Sequence, residues 1–339
     1  MAGRLILHIG MAGTGERRLQ HALSEGRAGL FYPASPDGAP HHDAAARELL
    51  SAGPVGAEGA FARLLDRVAE RGAEVSVISS GLLEAADPLR LRHALEARLP
   101  DPHVTVIAYI RPHAERLLAE YRRRIREGLF FGSLAAFLEA ARREGFAFCH
   151  ARFERWSRVF GKALILRPVV AGTLAGDDVV ADFLHLATGE AGAPVDPDPD
   201  PGPEALTTLA TLQEGLRGHV PRGAAAAIGR HAERLLAGSN RQVRPPTLPP
   251  NLARIVAQTY GADAEATDAA FLAGTPMGDA LAILPVTADS LPETRPDPAA
   301  ARLAAAWSAL LADIAALDPE SWTDHLARLE AGGISPEGA

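Results

Sequence analysis

The sequence predicts an α/β fold: a parallel sheet of the phosphate-loop type with helices on both faces, followed by a helical C-terminal extension. Three observations carry this expectation. Short apolar runs at Leu5–Ile9, Val75–Ser80, Val104–Ile110 and Ala163–Leu166 read as buried strands. Segments with helical periodicity separate them, the alternation that gives a parallel sheet. The first run ends in glycines at Gly10, Gly13 and Gly15 and continues as a helix through Leu19, Gln20 and Leu23. Strand, glycine turn and helix N-terminus together offer backbone amides to an anion.

Each element has its own justification. Leu30 to Pro36 reads as a short strand or extended turn leading past His41 and His42 to a helix over Ala44–Leu50. Phe61, Leu64, Leu65 and Val68 share one face of a helix over Phe61–Ala69. Asp87-Pro88 supplies an N-cap and a proline at the first helical position, and Leu91, Leu95 and Leu99 form the stripe behind it. Arg111-Pro112 ends the third strand and opens a helix to about Glu127; Phe131–Arg143 is the next helix. Cys149, Phe153, Trp156 and Phe160 line another, and Asp177 is the expected cap of a helix holding Val180, Phe183, Leu184 and Leu186.

Pro194–Pro203, acidic and proline-rich, reads as a linker or long surface loop, because proline suits neither helix interior nor central strand. Helices over Glu204–Leu216, Ala224–Leu236 and Pro250–Tyr260 follow, without a strand among them. A loop over Pro285–Pro296 precedes two helices that start at Asp297-Pro298 and Asp318-Pro319. The expected organisation is an α/β core over 1–190, a linker and helical segments over 191–285, and a helical tail over 286–339. The apolar stripes of the two tail helices need a partner surface: this domain, a second copy, or another protein.

Composition narrows the function classes. Hydrophobic residues make up 47% of 339 residues, enough for a sizeable core. The balance of 34 basic to 42 acidic residues, a net charge of −8, argues against a general nucleic-acid or anionic-membrane binder. A single cysteine, Cys149, excludes a disulfide framework, and its place on the Phe153–Trp156 stripe marks it as inert. The N-terminal apolar run is too short for a signal peptide, and no stretch approaches the ~20 apolar residues of a membrane span. A cytoplasmic protein with no metal is expected.

The glycine loop keeps the frame of the phosphate-loop pattern G-x-x-x-x-G-K-[S/T] and loses its chemistry. Glu16 stands where lysine is wanted, and Arg17 where serine or threonine is wanted. A glutamate ~4 Å from a phosphate charge costs roughly 4 kcal/mol at an effective dielectric of about 20. Each charge-assisted backbone hydrogen bond returns about 1.5–3 kcal/mol. Two or three loop amides therefore roughly cancel Glu16, and Arg17 and Arg18 add attraction only if they turn inward. Against these readings stand an ordinary strand-to-helix turn, an ordinary first-turn acid at Glu16 and solvated arginines.

Several segments, in order, resemble the bacterial branch of the sulfotransferase family. The loop IGMAGTGERRLQ is similar to that family's I-G-x-x-K-T-G-T-T-x-[LI]-Q, and VSVISS resembles its second strand. VTVIAYIRP with the helix after it resembles its 3′-phosphate segment, and Tyr32-Pro33 with His41 and His42, and WSRVFGKALILRP, also look like this family. The resemblance implies a nucleotide-type ligand, 3′-phosphoadenosine 5′-phosphosulfate (PAPS), as cosubstrate, and in-line transfer of its sulfuryl group to a hydroxyl or amine. It carries the donor site onto Gly10, Gly13, Thr14, Gly15, Glu16, Arg17, Arg18 and Arg111. Gly13 aligns with the family lysine, Glu16 and Arg17 with its two threonines, Ala119 with its 3′-phosphate serine, and Gly81 with its glutamate after the second strand. Catalysis would then fall to Arg17, as substitute cation, and His42, as general base. The alternative is a non-catalytic member that binds a nucleotide or a protein partner. A phosphate-loop kinase or NTPase is a weaker third reading, because neither the phosphate lysine nor the magnesium hydroxyl is present. The remaining arginines after Arg111 (Arg116, Arg122, Arg123, Arg124, Arg126) interleave with Glu115, Glu120 and Glu127 as a solvated helix face. His8, inside the first strand, is expected to be a satisfied core histidine.

Overall fold

A computed structural model describes residues 3–26, 29–51, 59–99, 103–190, 192, 202–237, 248–283 and 307. The fold is α/β. Four strands, β1 (Arg4–His8), β2 (Val75–Ser79), β3 (His103–Ile110) and β4 (Leu164–Pro168), form one sheet in the order β2-β1-β3-β4. Every pairing is parallel; Leu7 lies opposite Ile78 on one side and Val106 on the other. Phe31 adds an isolated parallel bridge to Ser76, so the Leu30–Pro36 stretch is an extended turn with a single paired residue.

The helices are α1 (Glu16–Ser24), α2 (Asp43–Leu50), α3 (Ala60–Arg71), α4 (Pro88–Glu96), α5 (His113–Arg126), α6 (Leu134–Arg143), α7 (His150–Phe160) and α8 (Val179–Thr188). They are followed by α9 (Gly202–Leu216), α10 (Arg222–Ala237), α11 (Pro250–Phe271) and α12 (Pro276–Ala282). Asp87 caps α4 as expected, accepting from Leu89 N–H with Pro88 at the first position. The cap of α8 is Asp178, not Asp177: its Oδ1 accepts from Val180 and Ala181 N–H at 2.9 and 3.0 Å. Asp177 ends the preceding 3-10 turn and accepts instead from Gly172 N–H.

The chain divides into two compact units. One gathers the described residues of Met1–Arg116, Ala147–Pro197 and Ala257–Ile283; the other gathers those of Leu117–Phe146, Asp198–Val256 and Leu284–Ala339. The first contains the sheet. Its core joins Ile6, Val77, Ile107 and Tyr109 of the strands to Leu19 and Leu23 of α1 and to Val180 and Phe183 of α8. In the second unit Leu212, Leu216 and Ile228 pack α9 on α10, with Val220 and Ala232 beside them. A separate aromatic group there sets Phe137 5.4 Å from Tyr121 and 5.6 Å from Phe130.

Trp307 is helical. The remainder of the tail helices starting at Asp297 and Asp318, the Pro285–Pro296 loop and most of the Pro194–Pro203 linker lie outside the described residues. Among the described residues no helix is long and apolar enough to cross a membrane.

Candidate functional site

Central strand β1 delivers the chain to the carboxyl edge of the sheet, where ligands of open α/β sheets bind. Gly10, Gly13 and Gly15 all have positive φ there, at 108°, 84° and 97°. Two backbone bonds to β3 hold the loop's first residues: Met11 N–H to Tyr109 O at 2.8 Å and Tyr109 N–H to Gly10 O at 2.7 Å. Thr14 is buried, and its hydroxyl donates to Met11 O at 2.6 Å, so it braces the loop from inside. Gly15 is the N-cap of α1 and offers no side chain, which leaves the first-turn amides of the helix uncapped by a side chain. The crest, Ala12 and Gly13, is exposed.

Glu16 folds back onto this loop. The carboxylate fills the space beside the turn after β2, where a Cβ at Gly81 would lie 2.1 Å from Glu16 Oε2. That oxygen is enclosed and has no hydrogen-bond partner. Burial, with the Asp43 and Glu84 carboxylates adding to it, raises the Glu16 pKa to about 7, against the pull of Arg17 and Gly13 N–H. The group therefore exchanges a proton near neutrality, against the glycine loop.

Neither loop arginine points into the loop as a buried cation. Arg18 pairs with Asp178, the cap of α8. Arg17 is exposed. Arg111, just past β3, lies 4.0 Å from Glu115.

His42 is brought to the same edge but is committed to the backbone. Its Nδ1 accepts from Ser79 N–H at 3.0 Å, so Nε2 carries the proton and donates to Pro33 O at 2.7 Å. Burial lowers its pKa to about 4. With both nitrogens occupied and Tyr32 packed on the ring at 4.5 Å, the geometry makes His42 a strut between β2 and the Tyr32–Pro33 turn rather than a base. His41 is partly exposed, with Nδ1 3.5 Å from Asp43.

Two polar residues at this edge, Glu84 and Arg152, escaped the sequence reading, and a third, Arg116, was misplaced by it. The 3-10 turn Gly81–Ala85 carries Glu84, which accepts from Arg116 at 3.1 Å and from Arg152 at 2.8 Å. Arg116 also reaches Met11 Sδ at 3.3 Å, so it supports the loop from beneath. Its expected place on a solvated face is a correction: Arg116 is buried, because α5 turns its first turn inward. The i, i+4 pairing holds for Arg124, which bonds Glu120 at 2.8 Å four residues back, although the pair is largely buried rather than solvated, at 21% and 11% exposure. No spacing signal links Glu84, Arg116 and Arg152; only the fold does.

His8 is fully buried, and Ser79 Oγ lies 2.7 Å from its Nδ1 and 3.2 Å from Gln20 Nε2. Burial lowers its pKa to about 3. Cys149 is likewise enclosed; burial pushes its thiol up to about 12, which keeps it protonated. It lies with His113 and Asp263 in a group whose ligand atoms are all within 4.8 Å. Asp263 there already accepts from His113 Nε2, Cys149 N–H and His150 N–H, and so serves as the cap of α7. Comparison of the chain with protein-family models, curated proteins and solved structures finds no match.

Proposed function

We propose that this chain binds the phosphate of a nucleotide such as PAPS or its desulfated product through the Gly10–Gly15 loop. On this reading it is a sulfotransferase-like protein that has given up sulfuryl transfer. One observation carries it: a carboxylate, that of Glu16, already lies against the loop, where Gly13 N–H lowers its pKa against the effect of burial. An external phosphate would use the same amides and the helix N-terminus once that carboxylate is neutralised or moved aside. Transfer needs positive charge where negative charge develops. The arginines nearest in sequence are spent on Asp178 or turned outward, and the histidine proposed as base is tied to the backbone.

The test is calorimetric titration with adenosine 3′,5′-bisphosphate at pH 8. Glu16→Gln is expected to bind at least about tenfold more tightly than the wild type, since it removes a repulsion of roughly 4 kcal/mol that loop amides only partly offset. Protonation neutralises Glu16 below about pH 7, so wild-type affinity rises as pH falls through that value. The difference between the two curves isolates Glu16, because the phosphate's own ionisation is common to both. Failure of either protein to bind at millimolar nucleotide would refute the reading.

A second reading, active transfer with Arg17 as the cation, is favoured by that side chain's exposure and its electrostatic pull on Glu16. Release of sulfate from PAPS by the wild type, abolished in Arg17→Ala, would establish it in place of the first.

A further inference from the structure

The second unit holds a cavity of about 520 Å³, within the ~300–1,000 Å³ range of small-molecule sites. It lies between the Gly128–Phe131 segment, the end of α9 and the start of α10. Its walls are apolar: Leu129, Phe131, Leu216 and Val220. Leu129 and Phe131 are also two of the chain's exposed large hydrophobic side chains, at 49% and 37%. Two isolated exposed side chains need no explanation; two on the rim of one cavity do.

The polar groups around this cavity are mostly of one sign. Arg217 and Arg222 both line it. Arg217 lies over the Phe131 ring at 4.7 Å, and Glu214 is 3.5 Å from the same guanidinium at the surface. Arg222 is the first residue of α10, a 16-residue helix with no acidic residue in its first turn. The positive end of a helix dipole and two cations therefore meet one acid.

A buried side chain closes the inner wall of the cavity. Gln213 lines the cavity and is 1% exposed. Its Nε2 is held by Arg126 O at 2.6 Å and Ala225 O at 2.8 Å, which fixes the amide orientation. Its Oε1 is left without a hydrogen-bond partner, facing Gly128, where a Cβ would lie 2.6 Å away.

We propose that this cavity is a binding site for an anionic amphiphile: an alkyl or aryl body against Leu129, Phe131, Leu216 and Val220, and a carboxylate or sulfate head at Arg217, Arg222 and the α10 N-terminus. The site stands independently of the glycine loop.

Dodecanoate, titrated calorimetrically into the full chain, is the probe, with dodecyltrimethylammonium as the same chain of opposite charge. One equivalent of dodecanoate is expected to bind, with affinity falling as salt is raised, and the ammonium is expected not to bind. The Arg217→Glu/Arg222→Glu variant should lose at least about tenfold in affinity. Both side chains are exposed, so the fold is kept, and an unchanged thermal melt checks this. Equal binding of the two detergents, retained affinity in the charge-reversed variant, or no saturable dodecanoate binding at submillimolar concentration would each overturn the proposal. The wild-type salt series tests it without any variant.

Discussion

Gly15 and Gly10 show how one residue type can be required for two reasons. At Gly15, with φ 97°, an added Cβ would meet only Val179 side-chain atoms at 3.5 Å, so space is available and conformation is the constraint. Gly15→Ala is expected to cost about 1–2 kcal/mol, the penalty of a left-handed L-residue, read from the urea midpoint. At Gly10 the same Cβ would lie 3.0 Å from Gly81 O and 3.1 Å from Gly81 Cα. Gly10→Ala adds a backbone clash to the strain and is expected to cost more than Gly15→Ala by the same measurement. Glu16 occupies the room that Gly81 leaves, so these glycines and the acid form one local solution: a tight loop, a missing side chain and a carboxylate folded into the gap.

Among the elements, α8 is fixed to the sheet by a buried carboxylate. Asp182 accepts from Tyr109 Oη at 2.9 Å, from Arg167 at 3.0 and 2.5 Å, and from Ala175 N–H at 2.9 Å. Burial pushes its pKa up, but Arg167, Ala175 N–H and Tyr109 together hold it below the ordinary carboxylate range. Removing one partner of such a pair leaves the other charge uncompensated, so Asp182→Ala is expected to destabilise by about 3–5 kcal/mol, measured by equilibrium denaturation.

Helix α11 makes a different point at this scale. The sequence reading ends it at Tyr260, yet it runs to Phe271. Its buried face there is polar: Asp263 caps α7, and Asp268 accepts from Met277 and Gly278 N–H to cap α12. Apolar periodicity cannot register a face whose partners are backbone amides of other helices, and α12 was missed with it.

Across the whole molecule, acid stability follows from the two buried histidines. Folded His8 and His42 have pKa values of about 3 and 4, below the ordinary 6.5. The unfolded chain therefore binds more protons below pH 6.5. Their contribution is complete above that value and is lost as pH falls toward 4, at about 1.4 kcal/mol per pH unit for each ring. Glu16 acts in the opposite sense, because its pKa is raised: its contribution is complete below the ordinary 4.5 and is lost as pH rises toward 7. Two rings against one carboxylate leave stability rising from pH 5 to 6.5. Denaturation midpoints across that window should show this rise, and His42→Gln should reduce its slope.

By itself the sequence determined the parallel sheet, the position and conformation of the glycine loop, and most helix starts. These depend on local chemistry: apolar runs, residues that tolerate positive φ, and side chains that cap the amides next to them. Tertiary structure alone decided what the loop's charges do. Glu16 turns into the gap that Gly81 leaves and Arg18 turns to the acid that Asp178 offers, and both lie far along the chain. His42 became a strut because Ser79 N–H and Pro33 O reach its two nitrogens. The cavity of the second unit likewise exists only where the ends of α9 and α10 meet Phe131. A side chain's charge is written in the sequence; its partner is chosen by distance in space, and that is set only once the elements pack.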